Sequence, residues 1–305
     1  MRQLIALSFF ISLTFSTFAG VKVDKEIFYA ENGGQKLYLD IYRSDTAQTD
    51  GRCLIFVFGG GFIHGSKSDS LNVAFCTKMA ERGMIVVAID YRLGMKGVNK
   101  AGALNHKPID HAIHIAAEDL CAATRFLIDN KGKYGIDDKK IFACGSSAGA
   151  ITVLQADYER ANRTKLATAY LPEGFSYAGV ISFAGAVFSH EGKPDYKTAP
   201  APTFFFHGTD DRLVTYNKIK FFNLGFFGTN ALVKRFEKFG HTYRVYRFTG
   251  YGHEIASSPM VRDIDEIAAF IKNPAVIKSI DCTINDTRIP HSKIGSAKPD
   301  DLYKK

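Results

Sequence analysis

The sequence predicts a doubly wound α/β fold, with one mostly parallel sheet, helices on both faces and short cap loops at one edge. Three observations point there. Between Leu37 and Ile271, short apolar runs rich in β-branched and aromatic residues alternate with stretches of helical periodicity. Those runs are apolar at consecutive positions, the habit of strands covered on both faces in a parallel sheet. Neither an internal repeat nor a Pro/Gly/Ser-rich linker divides the alternation, so residues 20–305 read as one domain.

Taken in order, the first element is a leader. Arg2 precedes a run from Leu4 to Phe15 that is apolar except for Ser8, Ser12 and Thr14. Thr17-Phe18-Ala19 then places small residues where a cut before Gly20 needs them. This is the layout of a secretory signal peptide over residues 1–19, too short to span a bilayer. The expected mature protein is secreted or periplasmic. No stable membrane insertion is expected of it, since no later run stays apolar for about 18 residues.

Leu37–Tyr42 alternates apolar and polar positions, as a half-exposed strand does. Cys53–Phe58, Met84–Ile89, Lys140–Cys144, Val180–Phe183 and Thr203–Phe206 read as buried strands, and Tyr243–Phe248 as the last. Ile113, Ala116, Ala117, Leu120, Thr124 and Leu127 share one helical face. Further helices are expected from about Asn72 to Arg82, over Ala231–Phe239 and over Asp263–Ile271. Gly94–Asp110, Tyr158–Tyr177 and Val187–Pro202 fit the alternation poorly. They follow strands, where open α/β sheets hold their ligands, and so read as cap or rim loops. Residues 274–305 are expected to be an irregular tail.

With 46% hydrophobic and 23% charged residues, the chain is neither disordered nor fibrous. Basic residues outnumber acidic ones by 39 to 31, yet they come only in scattered pairs such as Lys139–Lys140 and Lys304–Lys305. A nucleic-acid binder gathers that charge on one face, so nucleic acid is not an expected partner. The odd number of cysteines (Cys53, Cys76, Cys121, Cys144, Cys282) leaves at least one thiol unpaired within the chain. Cys76–Cys121 is a candidate pair, and Cys144 reads as a small buried residue. No C-x-x-C is present to suggest a cysteine zinc or redox site.

Four loops carry the chemistry. Gly145-Ser146-Ser147-Ala148-Gly149 follows a strand and opens the apolar stretch Ala150–Leu154. G-x-S-x-G in that context is a nucleophile elbow, a turn so sharp that its flanking positions must be glycine. Ser147 holds the central position, and the helix that starts there aims its dipole at developing negative charge. Phe58-Gly59-Gly60-Gly61-Phe62 follows strand 53–58. Consecutive glycines leave N–H groups open to a substrate oxygen, and in acyl transfer each such donor stabilises the oxyanion by roughly 3–4 kcal/mol. Gly60, Gly61 and Ala148 are the expected donors. The run lacks the G-x-x-x-x-G-K-[ST] spacing of a phosphate loop, despite Gly65-Ser66-Lys67 nearby.

The third loop is His207-Gly208-Thr209-Asp210-Asp211-Arg212-Leu213-Val214, after strand 203–206. An acid there can hold a histidine in one tautomer. The H-G-x-x-D-x-x-V spacing selects Asp211 over Asp210, which reads as a turn former. The fourth, Gly250-Tyr251-Gly252-His253-Glu254, supplies the histidine after the last strand.

On these residues the chain, from about Lys36 to Ile271, resembles an α/β-hydrolase, where nucleophile, acid and histidine follow in the order Ser147, Asp211, His253. It looks closest to the carboxylesterase and hormone-sensitive-lipase-like branch, to which Asp90-Tyr91-Arg92 and Glu118-Asp119-Leu120 are also similar as structural motifs. Secreted feruloyl and acetyl-xylan esterases look most similar. The resemblance implies hydrolysis of a small acyl ester, acetyl or feruloyl, on a plant polysaccharide or oligosaccharide. The chemistry requires no metal or organic cofactor. Where the branch has H-G-G-G-F, this chain has Phe58 for the histidine, which supports the loop there without donating to substrate. The absence of Trp argues against a broad sugar-stacking platform and puts recognition on the acyl side.

Two other readings stand beside this one. A prolyl-oligopeptidase-like exopeptidase shares the elbow and the H-G-x-x-D loop, but the chain leaves no room for that group's propeller. A silent glycan-binding relative would have lost a member of the triad, and all three are present. Of the remaining residues, His64, Phe62 and Ser146 are candidate substrate contacts, with an exposed loop histidine as the alternative for His64. His111 and His114, near His106, have the spacing to share a metal, but without a carboxylate partner they read as a solvated helix start. Phe221, Phe222, Phe226 and Phe227 either wall an acyl pocket or pack the core.

Overall fold

The computed structural model describes residues 15–18, 20–98, 105–276 and 278–303. Of the expected leader, residues 1–14 and Ala19 lie outside the described residues. Phe15–Phe18 forms an edge strand, β1, antiparallel to the start of β2 (Val21–Asn32). β2 pairs in turn with β3 (Gln35–Ser44). The winding then begins with β4 (Cys53–Val57), α1 (Ser70–Glu81), β5 (Ile85–Ile89), α2 (Lys107–Asp129), α3 (Lys131–Tyr134), β6 (Ile141–Ser146) and α4 (Ala148–Asn162). It continues through α5 (Lys165–Tyr170), β7 (Gly179–Phe183), β8 (Ala186–Ser189) and β9 (Thr203–Gly208). β10 (Lys218–Phe221), β11 (Leu224–Gly228), α6 (Thr229–Phe239) and β12 (Tyr243–Phe248) follow. α7 (Pro259–Arg262), α8 (Ile264–Lys272), β13 (Ser279–Ile284) and α9 (Pro299–Tyr303) complete the chain.

Among the described residues, ten strands form the main sheet in the order β1-β2-β3-β5-β4-β6-β7-β9-β12-β13, parallel from β5 to β13. Every residue of β4, β5, β6, β7 and β9 is buried, which is why their sequences read as unbroken apolar runs. The three consecutive phenylalanines of β9 show how both faces are used. Phe204 and Phe206 face a layer with Phe183, Phe75 of α1 and Phe270 of α8, while Phe205 packs on Phe236 of α6. From β4 the chain steps outward to β5, then returns past β4 to β6. Reversing direction while keeping right-handed crossovers puts α1 and α2 on opposite faces and opens a crevice at the carboxyl ends of the strands. The loops after β4, β6, β9 and β12 all meet there.

The structure corrects the sequence reading at several elements. The tail after Asn273 is not simply irregular: β13 extends the sheet beyond β12, and α9 reaches back to the site. Alternate residues of β13 are exposed, so it lacks the apolar run that betrays the inner strands. β2 was missed for the same reason, and β8, β10 and β11 form a separate small sheet in the order β10-β11-β8. Tyr158–Tyr177 is no rim loop. It holds the end of α4 and all of α5 on the way to β7, and a helix-to-strand connection lands at the opposite edge of a parallel sheet from the crevice. Val187–Pro202 is likewise split, with Phe188 at the crevice and the rest leading away to β9. All five cysteines are free thiols, so Cys76 and Cys121 form no pair. Among the described residues no helix is long and apolar enough to cross a membrane.

Candidate active site

The serine sits on a strained turn. Ser147 has φ 51° and ψ −116°, a conformation that L side chains rarely adopt, and its N–H donates to Phe183 O of the neighbouring strand at 2.9 Å. Close backbone approach explains the flanking glycines. A Cβ on Gly145 would lie 2.2 Å from Gly149 O, and one on Gly149 would lie 2.0 Å from Val57 O. The turn thus welds β6, α4 and the loop after β4 into one unit.

Three side chains converge there. Ser147 Oγ is 2.7 Å from His253 Nε2, and His253 Nδ1 is 2.8 Å from Asp211 Oδ2. His253 and Asp211 are almost wholly buried. Asp211 Oδ1 accepts the N–H groups of Leu213 (2.9 Å) and Val214 (3.0 Å). Burial alone would raise the Asp211 pKa, but hydrogen bonds from His207 and His253 hold it far below the usual carboxylate range. Asp210 points elsewhere: it is exposed, and its Oδ1 accepts from Thr209 Oγ1. The histidine that opens the H-G-x-x-D motif was not singled out from sequence. His207 is fully buried, with Nδ1 2.8 Å from Thr229 Oγ1 and Nε2 3.0 Å from Val214 O and 3.4 Å from Asp211 Oδ2. It closes the acid loop on itself.

The glycine loop lies beside the serine. Gly60, Gly61 and Phe62 all have positive φ (118°, 64° and 61°), a backbone conformation that favours glycine. Among the described residues no carbonyl accepts from the N–H of Gly60, Gly61 or Ala148. Phe58 supports this loop by packing: its ring lies 4.5 Å from that of Tyr91, whose hydroxyl donates to Phe58 O at 2.9 Å. Asp90 and Arg92 fix that tyrosine from either side. Asp90 accepts from buried Lys67, and Arg92 donates to fully buried Asp119.

A cavity of about 210 Å3 opens from Ser147, walled mainly by Phe62, Ile151, Phe188, Val214, Phe226 and Leu302. Two of the four candidate phenylalanines line it, Phe221 and Phe226, whereas Phe227 is buried core and Phe222 projects into solvent. His64 is exposed and does not line the cavity. Ser146 is no substrate contact either: its Oγ donates to Ala256 O at 2.7 Å, pinning the histidine loop to the elbow. Sequence reasoning also missed the last wall. Residues 286–303 run as a strap from the histidine loop to the glycine loop. Tyr251 OH donates to Asp286 O and Ile289 O, the Tyr251 and His291 rings stack at 4.6 Å, and His291 Nδ1 is 3.2 Å from buried Glu254. Tyr303 OH then donates to Gly61 O at 3.3 Å.

His111 and His114 do not form a metal pair. His111 is exposed, while His114 Nδ1 lies 2.9 Å from Asp110 Oδ1, with His190 3.1 Å from the other carboxylate oxygen. The hydrogen bond to Asp110 outweighs partial burial and pushes the His114 pKa up to about 9. A folded pKa above the unfolded value of about 6.5 favours the folded state fully below that value. This contribution fades as pH rises through about 9. An NMR titration of the His114 imidazole is expected to show the raised midpoint, and Asp110→Asn to return it toward 6.5. A parent midpoint at or below 6.5 would contradict the pairing.

Residues 39–187, just under half of the chain, match the BD-FAE family. Gut esterase 1 of Caenorhabditis briggsae is 34% identical over 128 residues, covering 42% of this chain and 22% of the esterase. Para-nitrobenzyl esterase of Bacillus subtilis is 28% identical over 118 residues, 38% of this chain and 23% of that protein. The chain thus spans less than a quarter of the length of these curated relatives. Among solved structures, native esterase Est2 of Thermogutta terrifontis superposes with TM-score 0.58 at 22% identity, covering 84% of this chain and 94% of that one. Esterase B of Lactobacillus rhamnosis gives 0.59 at 15% identity, covering 84% and 86%. The chain has the α/β-hydrolase fold, and its 39–187 segment matches BD-FAE.

Proposed function

We propose that this protein is a carboxylic ester hydrolase working through Ser147, His253 and Asp211. One observation carries the reading: a serine hydroxyl, an imidazole and a buried carboxylate are joined in line at 2.7 and 2.8 Å, beside N–H groups with no protein acceptor among the described residues. His253 Nε2 takes the Ser147 proton as Oγ attacks the ester carbonyl, and Asp211 stabilises the imidazolium that results. The N–H groups of Gly60, Gly61 and Ala148 receive the oxyanion. His253 gives its proton to the departing alcohol, leaving an acyl-serine that water, deprotonated by the same imidazole, hydrolyses.

The cavity supports an apolar acyl group larger than acetyl, of feruloyl type. A two-carbon acyl group would leave most of the 210 Å3 unfilled, and its apolar walls would forfeit their dispersion contacts. The leader pattern at residues 1–19 supports an exported enzyme, and an acylated plant saccharide remains the proposed natural ester. Rates on nitrophenyl esters of graded acyl length, on methyl ferulate and on an aminoacyl-nitroanilide test the reading together. Esters should be cleaved, the longer and aromatic acyl groups best, and the nitroanilide should be inert. Preferred cleavage of acetate would overturn the acyl assignment alone. Cleavage of the nitroanilide without the esters would overturn the whole reading in favour of a peptidase.

A further inference from the structure

The hairpin of β10 and β11 stands off the main sheet and is joined to the body through β8. Every residue of its first arm, Lys218-Ile219-Lys220-Phe221, is exposed. Among the described residues, three of the eight exposed large hydrophobic side chains fall within four positions here: Ile219 (57%), Phe221 (65%) and Phe222 (82%). Such clustering marks an interaction surface, whereas scattered exposed hydrophobics do not.

The tip adds a second observation. Phe222 opens the two-residue turn Phe222-Asn223 with φ 50°, where glycine is the favoured residue and an aromatic side chain is sterically strained. Its ring meets that of Phe221 edge-on, at 4.7 Å and 80°, and otherwise faces solvent. Phe222 lies outside the packed core, so burial does not offset the strain at its position.

Charge and shape narrow the partner. Lys218 and Lys220 alternate with the apolar side chains, and Asn223 O accepts the N–H of Gly192 at 2.6 Å, bringing exposed Lys193 beside the tip. None of these three lysines is in an ion pair among the described residues; of the two exposed carboxylates that flank Lys193, Glu191 and Asp195, the latter is held by Arg235. A second copy of the chain would bring lysines against lysines. A sugar would want a flat aromatic face, and the edge-on pair offers a wedge instead. Aromatic side chains that enter a lipid surface, flanked by ammonium groups that meet phosphate headgroups, fit both features. Ile219, Phe221, Leu224 and Phe226 also line the cavity that leads to Ser147.

We propose that the β10–β11 hairpin docks the protein on an anionic lipid–water interface, with the mouth of the Ser147 cavity turned toward it. Binding is measured directly, so this inference stands or falls apart from the ester-hydrolase reading. The test sediments the full chain with vesicles of phosphatidylcholine and phosphatidylglycerol in equal parts, and with phosphatidylcholine alone. The parent should pellet with the anionic vesicles, less so with the neutral ones, and release in high salt. Phe222→Gly removes the wedge and suits the turn, so it should fold at least as well and bind at least tenfold more weakly. Lys218→Gln with Lys220→Gln should weaken anionic binding on the order of tenfold and flatten its salt dependence. Turnover of a soluble nitrophenyl ester should be unchanged in both, since none of the three side chains lines the cavity. A parent that stays in the supernatant, or a Phe222→Gly variant that binds like the parent, overturns the proposal. Dimerisation lost in Phe222→Gly would give the patch to a second copy, and retention on an acidic glycan without vesicle binding would give it to a polysaccharide.

Discussion

Replacing Ser147 with alanine is expected to lower kcat on a nitrophenyl ester on the order of 10^4–10^6-fold while the protein stays folded. The change removes one oxygen from a backbone already committed to the elbow. Gly145, Gly149 and the Phe183 carbonyl hold the turn, and the hydroxyl plays no part in it. The neighbouring serine gives the contrast. Ser146→Ala deletes the hydrogen bond to Ala256 O that ties the histidine loop to the elbow, at a cost of about 1 kcal/mol in a urea melt and a modest loss of rate. A mild effect at Ser147 beside a severe one at Ser146 would mean that the elbow has been read in the wrong register.

Asp211→Asn is expected to cut kcat by roughly 10^3–10^4 with the fold retained, and Asp210→Asn to cost far less. The hydrogen bonds around the acid say why. Oδ1 accepts two N–H groups, from Leu213 and Val214, so the oxygen of an introduced amide would take that side. Its NH2 would then face His253 Nδ1, which must become an acceptor, and the ring proton would move to Nε2. An Nε2–H cannot receive the proton of Ser147. That NH2 would also meet the Nε2–H of His207, which the carboxylate now faces at 3.4 Å. Steady-state rates with circular dichroism as the folding control decide the matter. A greater loss at Asp210 would move the acid assignment without touching the serine.

Much of the site was legible because its signals are local. The elbow declares itself by glycines two positions either side of a serine, and the close approaches at Gly145 and Gly149 are the physical cause of that spacing. Choosing Asp211 over Asp210 rested on three residues of spacing to Val214, and the Val214 N–H is one of the two donors that orient the acid. What stayed hidden depends on partners far away in the chain. Tyr303 meets Gly61 across 242 positions, and no periodicity in a polar tail hints at such a contact. His64 misled for the converse reason. Adjacency to the glycine loop suggested a substrate contact, but the positive φ values through Gly60 to Phe62 turn the chain so that its ring leaves the cavity. Phe58 shows that a motif position is a packing problem as well as a letter: a tilted ring contact with Tyr91 holds the loop where an H-G-G-G-F run would put a histidine.

The strap carries a consequence for how activity is lost. His291, Ile289 and Tyr303 hold it to the histidine and glycine loops through stacking and a few hydrogen bonds, while the sheet beneath is buried strand by strand. Segments with few buried contacts open locally, with free energies well below that of global unfolding. Each opening would release the Gly61 carbonyl and bare one wall of the cavity with β4, β6 and β9 still intact. On warming, activity is therefore expected to fall with the opening of residues 286–303, at a lower temperature than the melting of the sheet followed by circular dichroism.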